Sequence, residues 1–80
     1  MSSADIESFI VKEILKGSRA RIDLDESLMS TGLIDSMGML MLVSFLEEDL
    51  GVAVGDGEVT LENFETLRRV AGFVDRKRRG

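Results

Sequence analysis

The sequence contains no cysteine, histidine, proline, tryptophan or tyrosine. Without cysteine there is no disulfide and no thiolate to act as nucleophile or metal ligand. Without histidine the commonest general base and the commonest zinc ligand are also missing. Little side-chain chemistry remains beyond carboxylates, amines and hydroxyls, which argues against a hydrolase or a zinc protein and against catalysis by the chain itself. No long hydrophobic run is present either. The longest is Met39–Val43, far short of the roughly 20 residues that span a bilayer. Met1 is followed by Ser2, Ser3, Ala4 and Asp5, which is not the start of a secretory signal. A soluble, cytoplasmic protein that does not engage membranes is the expectation.

One further absence is regional. From Ile22 to Leu67 there is no lysine or arginine, while eleven carboxylates fall in that stretch. Six of the ten basic residues lie between Arg68 and Arg79, and the net charge is −5. An acidic middle repels nucleic acid and attracts basic protein surfaces. Taken alone it is equally a solvated acidic surface.

Eighty residues make one domain, 1–80, with a modest core. With proline absent, glycine marks the breaks. Ser3–Lys16 carries Ile6, Phe9, Ile10, Ile14 and Leu15 at helical spacing, with Ser2 or Ser3 as cap and Gly17 as stop. Ser18–Asp35 is long for a connection and has no period. Its Ile22, Leu24, Leu28, Leu33 and Ile34 predict a loop packed on the core. Ser36–Leu50 predicts a second helix. At 100° per residue, Met39, Leu42, Val43, Leu46 and Leu50 share an arc of about 100°. Met37, Leu40, Met41 and Ser44 face the other way, bordered by Glu47 and Glu48, with Phe45 between the two faces. That second face is either a partner surface or a side buried by other helices. Methionines on a surface suit adaptable binding. Gly55-Asp56-Gly57 reads as a turn and Thr60–Phe64 as a short helix capped by Thr60. Thr66 caps a last helix with Leu67, Val70, Ala71 and Val74 on one stripe. Arg76, Lys77, Arg78 and Arg79 favour its C-terminal dipole and otherwise read as a solvated basic tail. The fold class is all-α: a four-helix bundle of three main helices and one short one, with a long first loop.

Asp23-Leu24-Asp25 opens like a calcium loop, but Leu28 and Ile34 stand where such a loop needs glycine and glutamate. No calcium site is expected, and Asp23, Asp25 and Glu26 read as solvated acids. The informative stretch is Gly32-Leu33-Ile34-Asp35-Ser36-Met37. It sets a serine at the start of the apolar helix, where either Ser36 or Asp35 can serve as N-cap. The same stretch follows Leu28 and Met29. It precedes a helix ending in Leu46-Glu47-Glu48-Asp49-Leu50-Gly51-Val52, and then Glu62-Asn63-Phe64-Glu65-Thr66-Leu67. In this order the features resemble the acyl and peptidyl carrier protein family over the whole chain.

The resemblance implies a 4′-phosphopantetheine, taken from coenzyme A, esterified to Ser36 beside Asp35. Acyl or aminoacyl groups would ride on it as thioesters. It implies a phosphopantetheinyl transferase as partner, with an adenylating ligase or acyltransferase for loading. Downstream would come a ketosynthase, condensation enzyme or transferase. It also implies a partner surface on the second helix at Met37, Leu40, Met41, Glu47 and Glu48. The segment Met39–Val43 lacks the mid-helix acid common in the family. That points to a more apolar interface, as in peptidyl and aminoacyl carriers, and to specialised metabolism of polyketide or nonribosomal-peptide type. The alternatives are a carrier of fatty-acid synthesis, a D-alanyl carrier, which the run Asp35-Ser36-Met37-Gly38 resembles, and an unmodified helical adaptor. A free-standing monomer working in trans is the expected form.

Overall fold

A computed structural model describes residues 3–79. Helix α1 spans Ser3–Phe9 and runs on into a π-helical segment, Ile10–Ile14. Helix α2 spans Ser36–Glu48, a 3₁₀ turn covers Asp56–Glu58, α3 is the short helix Leu61–Phe64, and α4 is Leu67–Arg79. No strand occurs among the described residues, and none of their helices is long and apolar enough to cross a membrane. The architecture is the all-α arrangement of three main helices and one short one. Of the two caps expected for the first helix, Ser2 lies outside the described residues and Ser3 is inside α1.

The first helix ends before Lys16. Its last turn widens, with the Leu15 N–H donating to the Ile10 carbonyl at 2.8 Å. Lys16 and Gly17 then take positive φ of 54° and 76°. The second helix likewise stops at Glu48, two residues short of Leu50, and Gly51 turns the chain with a φ of 69°.

Ile6 and Ile10 meet Met39, Leu42 and Leu46 of α2, Phe64 of α3, and Leu67, Val70, Phe73 and Val74 of α4 in one core. Phe73, outside the expected stripe, is buried at its edge and tilts against Phe64 with ring centroids 5.3 Å apart. The long loop is packed as expected at Ile22, Leu28 and Ile34, which are buried. Leu24 is not. Its carbonyl is what docks, accepting the Arg68 N–H at 3.1 Å, and the side chain is left at the surface. Two further tethers fix this loop: the Ile22 N–H donates to the Glu7 carboxylate at 2.6 Å, and the Leu28 N–H to the Glu65 carbonyl at 2.6 Å.

Several of the charges expected to be merely solvated are partnered. Arg19 pairs with Glu26, and Arg68 with Asp25. The guanidinium hydrogen bonds hold both carboxyls below the usual carboxylate range. In the basic tail, Lys77 reaches Glu58 at 3.0 Å and lies 5.7 Å from the centre of the Phe73 ring, while Arg76 donates to Asn63 at 3.0 Å.

Candidate functional site

The start of α2 divides two tasks between neighbouring residues. Asp35 is extended (φ −87°, ψ −173°), and its carboxylate accepts the Gly38 N–H at 2.8 Å. Asp35 is therefore the N-cap. Ser36, the first helical residue, is exposed, and among the described residues its hydroxyl has no hydrogen-bond partner. The N–H groups of Ser36 and Met37 belong to the unpaired donors of a helix start. The segment entering the helix is held by the Ile34 N–H, which donates to the Leu28 carbonyl at 2.9 Å.

Gly38 sets how closely α2 meets the π-helical segment that follows α1. A Cβ there would lie 2.9 Å from Ile14 Cγ2 and 3.0 Å from Ile34 Cγ2. Only glycine permits that approach, and the widened last turn of the first helix is where Ile14 makes it.

A groove of about 660 Å³ opens beside Ser36. One wall is Met39, Leu40 and Val43 of α2. The other is Val54, Gly55, Asp56 and Val59, and Met29, Gly32, Ile34, Asp35 and Ser36 complete it. The walls are mostly apolar and carry two carboxylates and no cation.

Farther round α2, Met37 and Leu40 are 67% and 65% exposed. Met41 is half-buried, where the angular reading had it facing solvent. Phe9 of α1 stacks on Phe45 with centroids 4.3 Å apart, and Met41 lines a shallow depression with this pair, Ser44 and Glu48. Glu47 is exposed but engaged, accepting the Val54 N–H at 3.2 Å.

Across the molecule, Glu65 receives the Ser27 hydroxyl at 2.9 Å, the Met29 N–H at 3.1 Å, the Ser30 N–H at 3.3 Å and the Ser30 hydroxyl. The Ser30 hydroxyl above all holds this carboxyl below its usual range. Met29 and Glu65 entered the sequence reading only as parts of the motif order, and the groove roles of Met29, Val54 and Val59 were not readable, because loops have no period to read. Gly38 carried a signal: a glycine inside a helix marks a close approach.

A family model described as a phosphopantetheine attachment site matches residues 9–74. The chain belongs to this family. Among its relatives is a D-alanyl carrier protein of Abiotrophia defectiva, 35% identical over 68 residues, covering 85% of this chain and 86% of the relative. Another is a Serratia sp. protein named probable acyl carrier protein PigG, 26% identical over 76 residues, covering 95% and 87%. A chain in a solved structure titled "Crystal structure of FAD-dependent dehydrogenase" superposes with a TM-score of 0.78 at 26% identity, covering 86% of this chain and 97% of that one.

This phosphopantetheine carrier is thus not itself a catalyst. Its cofactor is a covalently attached 4′-phosphopantetheine, which supplies the thiol the chain lacks. It works with a phosphopantetheinyl transferase and with enzymes that load and unload it. The residues present fit the group. A helix start with free N–H groups and a positive dipole end favours a phosphodiester, and the adjoining groove offers an apolar bed.

Proposed function

We propose that Ser36 carries the arm and that the cargo is an amino acid or short acyl starter. Presented as a thioester, it would go to enzymes of polyketide or nonribosomal-peptide type. One observation supports this most: the Ser36 hydroxyl is exposed and, among the described residues, unbonded at the first residue of α2, while Asp35 does the capping. The serine oxygen can lose its proton and bond to phosphorus, displacing the adenosine bisphosphate half of coenzyme A, without breaking a hydrogen bond seen among the described residues. Met37, Leu40 and Met41, with Glu47 and Glu48 beside them, form the surface that partner enzymes read. A partner with an apolar centre ringed by arginine or lysine complements it. The whole chain, 1–80, acts as one carrier domain.

The test is intact mass after incubating the apo protein with coenzyme A and several phosphopantetheinyl transferases. Wild type gains one phosphopantetheine and Ser36→Ala gains none. A folded wild type that gains nothing, or a Ser36→Ala that still gains it, overturns the assignment.

A second reading of the cargo is D-alanine. It is favoured by the 35% identical D-alanyl carrier and by Gly38 after Asp35-Ser36-Met37. Loading the holo protein with a panel of adenylating ligases separates the two: selective transfer of D-alanine supports the second, transfer of other amino acids the first. A flavin-dependent dehydrogenase belongs among the downstream enzymes tried, because one gives its name to the similar structure.

A further inference from the structure

We infer that Glu65 is a positioning residue for Ser36, clamping the turn 27–30 so that the loop presents Asp35 and Ser36 to the transferase in one arrangement. The inference rests on Ser36 being the attachment point.

Glu65 is itself set by two helices. Its N–H donates to the Leu61 carbonyl at 3.1 Å at the end of α3. The next residue, Thr66, is buried and its hydroxyl accepts the Arg69 N–H at 3.1 Å at the start of α4. From this fixed base the carboxylate takes four donors from Ser27, Met29 and Ser30, which uses about all the lone pairs a carboxylate has. The Glu65 carbonyl takes a fifth, the Leu28 N–H.

Two features make this more than a means of packing. Burial of Leu28 already pins the turn to the core, so the carboxylate adds orientation, which directional hydrogen bonds supply and apolar contact does not. The clamped turn also leads straight to the site. The Leu28 carbonyl accepts the Ile34 N–H, Asp35 and Ser36 follow Ile34 in the chain, and Met29 lines the groove beside Ser36. A single hydrogen bond therefore separates the clamp from the residue that enters α2.

Two variants attack the clamp from its two sides. Glu65→Gln keeps the size but gives the four donors one acceptor atom and one donor. Ser27→Ala/Ser30→Ala keeps Glu65 and deletes both hydroxyls. Initial rates of arm transfer from coenzyme A are measured against carrier concentration, at a temperature where circular dichroism shows each variant folded. In both variants KM for the carrier rises about fivefold while kcat stays within about twofold, the scale of one net hydrogen bond. Amide exchange at Met29, Ser30 and Ile34 quickens. Asp25→Asn, which breaks an exposed ion pair on the same loop, leaves KM unchanged. If Glu65→Gln does not fold, the double serine variant decides alone. Unaltered KM in the folded variants, or unaltered exchange, overturns the clamp and leaves Ser36 standing. A wild type that accepts no arm overturns both.

Discussion

Helices α2 and α4 are each thirteen residues long and lie against the same core. In α4 every large apolar side chain is buried, and the remaining positions are mostly charged or small. In α2 Met39, Leu42 and Leu46 are buried, yet Met37 and Leu40 are about two-thirds exposed, and the helix carries no cation. One helix follows the amphipathic rule and the other breaks it. A helix that spends apolar area on solvent gives up stabilisation that burial would provide, and such departures cluster where a protein works. Ser36, the proposed attachment residue, stands at the start of the helix that departs.

The largest effect that tests this contrast lies in α4. Phe73→Ala should cost about 3–5 kcal/mol, measured by urea unfolding, a large part of the stability of a chain this size. A cost below about 1 kcal/mol would remove α4 as the structural half of the pair. Next is Gly38→Ala in α2. Alanine is the better helix former by about 1 kcal/mol, but its Cβ would strike Ile14 and Ile34, so a net loss of about 1–3 kcal/mol is expected. Combining it with Ile14→Ala should cost less than the sum of the single changes. A stabilised Gly38→Ala would show that the two helices do not meet as described.

The exposed face of α2 should behave oppositely to α4. Leu40→Glu should leave stability within about 0.5 kcal/mol, while the half-buried Met41→Glu should lose about 1 kcal/mol and stay folded. Both should slow loading by a ligase, read as thioester formed per minute on holo protein. Unfolding by either change, seen by circular dichroism, would mean that the face belongs to the core.

The smallest effects per residue belong to the paired surface carboxylates. Asp25, Glu26, Glu58 and Glu65 all have folded-state pKa values below their ordinary ones. The causes are the Arg68 and Arg19 hydrogen bonds for the first two, the Gly55 N–H for Glu58 and the Ser30 hydroxyl for Glu65. Each contribution is present in full above the ordinary carboxylate range and is lost as pH falls through the lowered folded-state values. With no histidine in the chain, no side chain has an ordinary pKa between about pH 5 and 8. Thermal midpoints should be flat across that interval and fall below about pH 5. A decline already present at pH 6 would contradict the lowered values.

Much of this was legible in the residues. α4 was readable because Leu67, Val70 and Val74 repeat at helical spacing, and α2 because the same period places Met39, Leu42 and Leu46 together. The order of motifs singles out Ser36 as the candidate attachment residue, but the division of capping between it and Asp35 was not legible, since serine and aspartate cap about equally well. The π-helical end of the first helix was hidden too. Shifting a hydrogen bond by one residue barely alters the spacing of Ile10 and Ile14. Glu65 was named only as part of a motif, and its bonds were not readable because the donors arrive from a turn 35 residues upstream at Ser30, a meeting no local pattern records.

That Asp35, and not Ser36, closes the helix has a consequence for the carrier's life cycle. With the arm on Ser36 as proposed, esterification would remove no hydrogen bond seen among the described residues, so apo and holo forms would share one framework. On that proposal the protein would fold first and be armed later, and could lose and regain its arm without passing through an unfolded state.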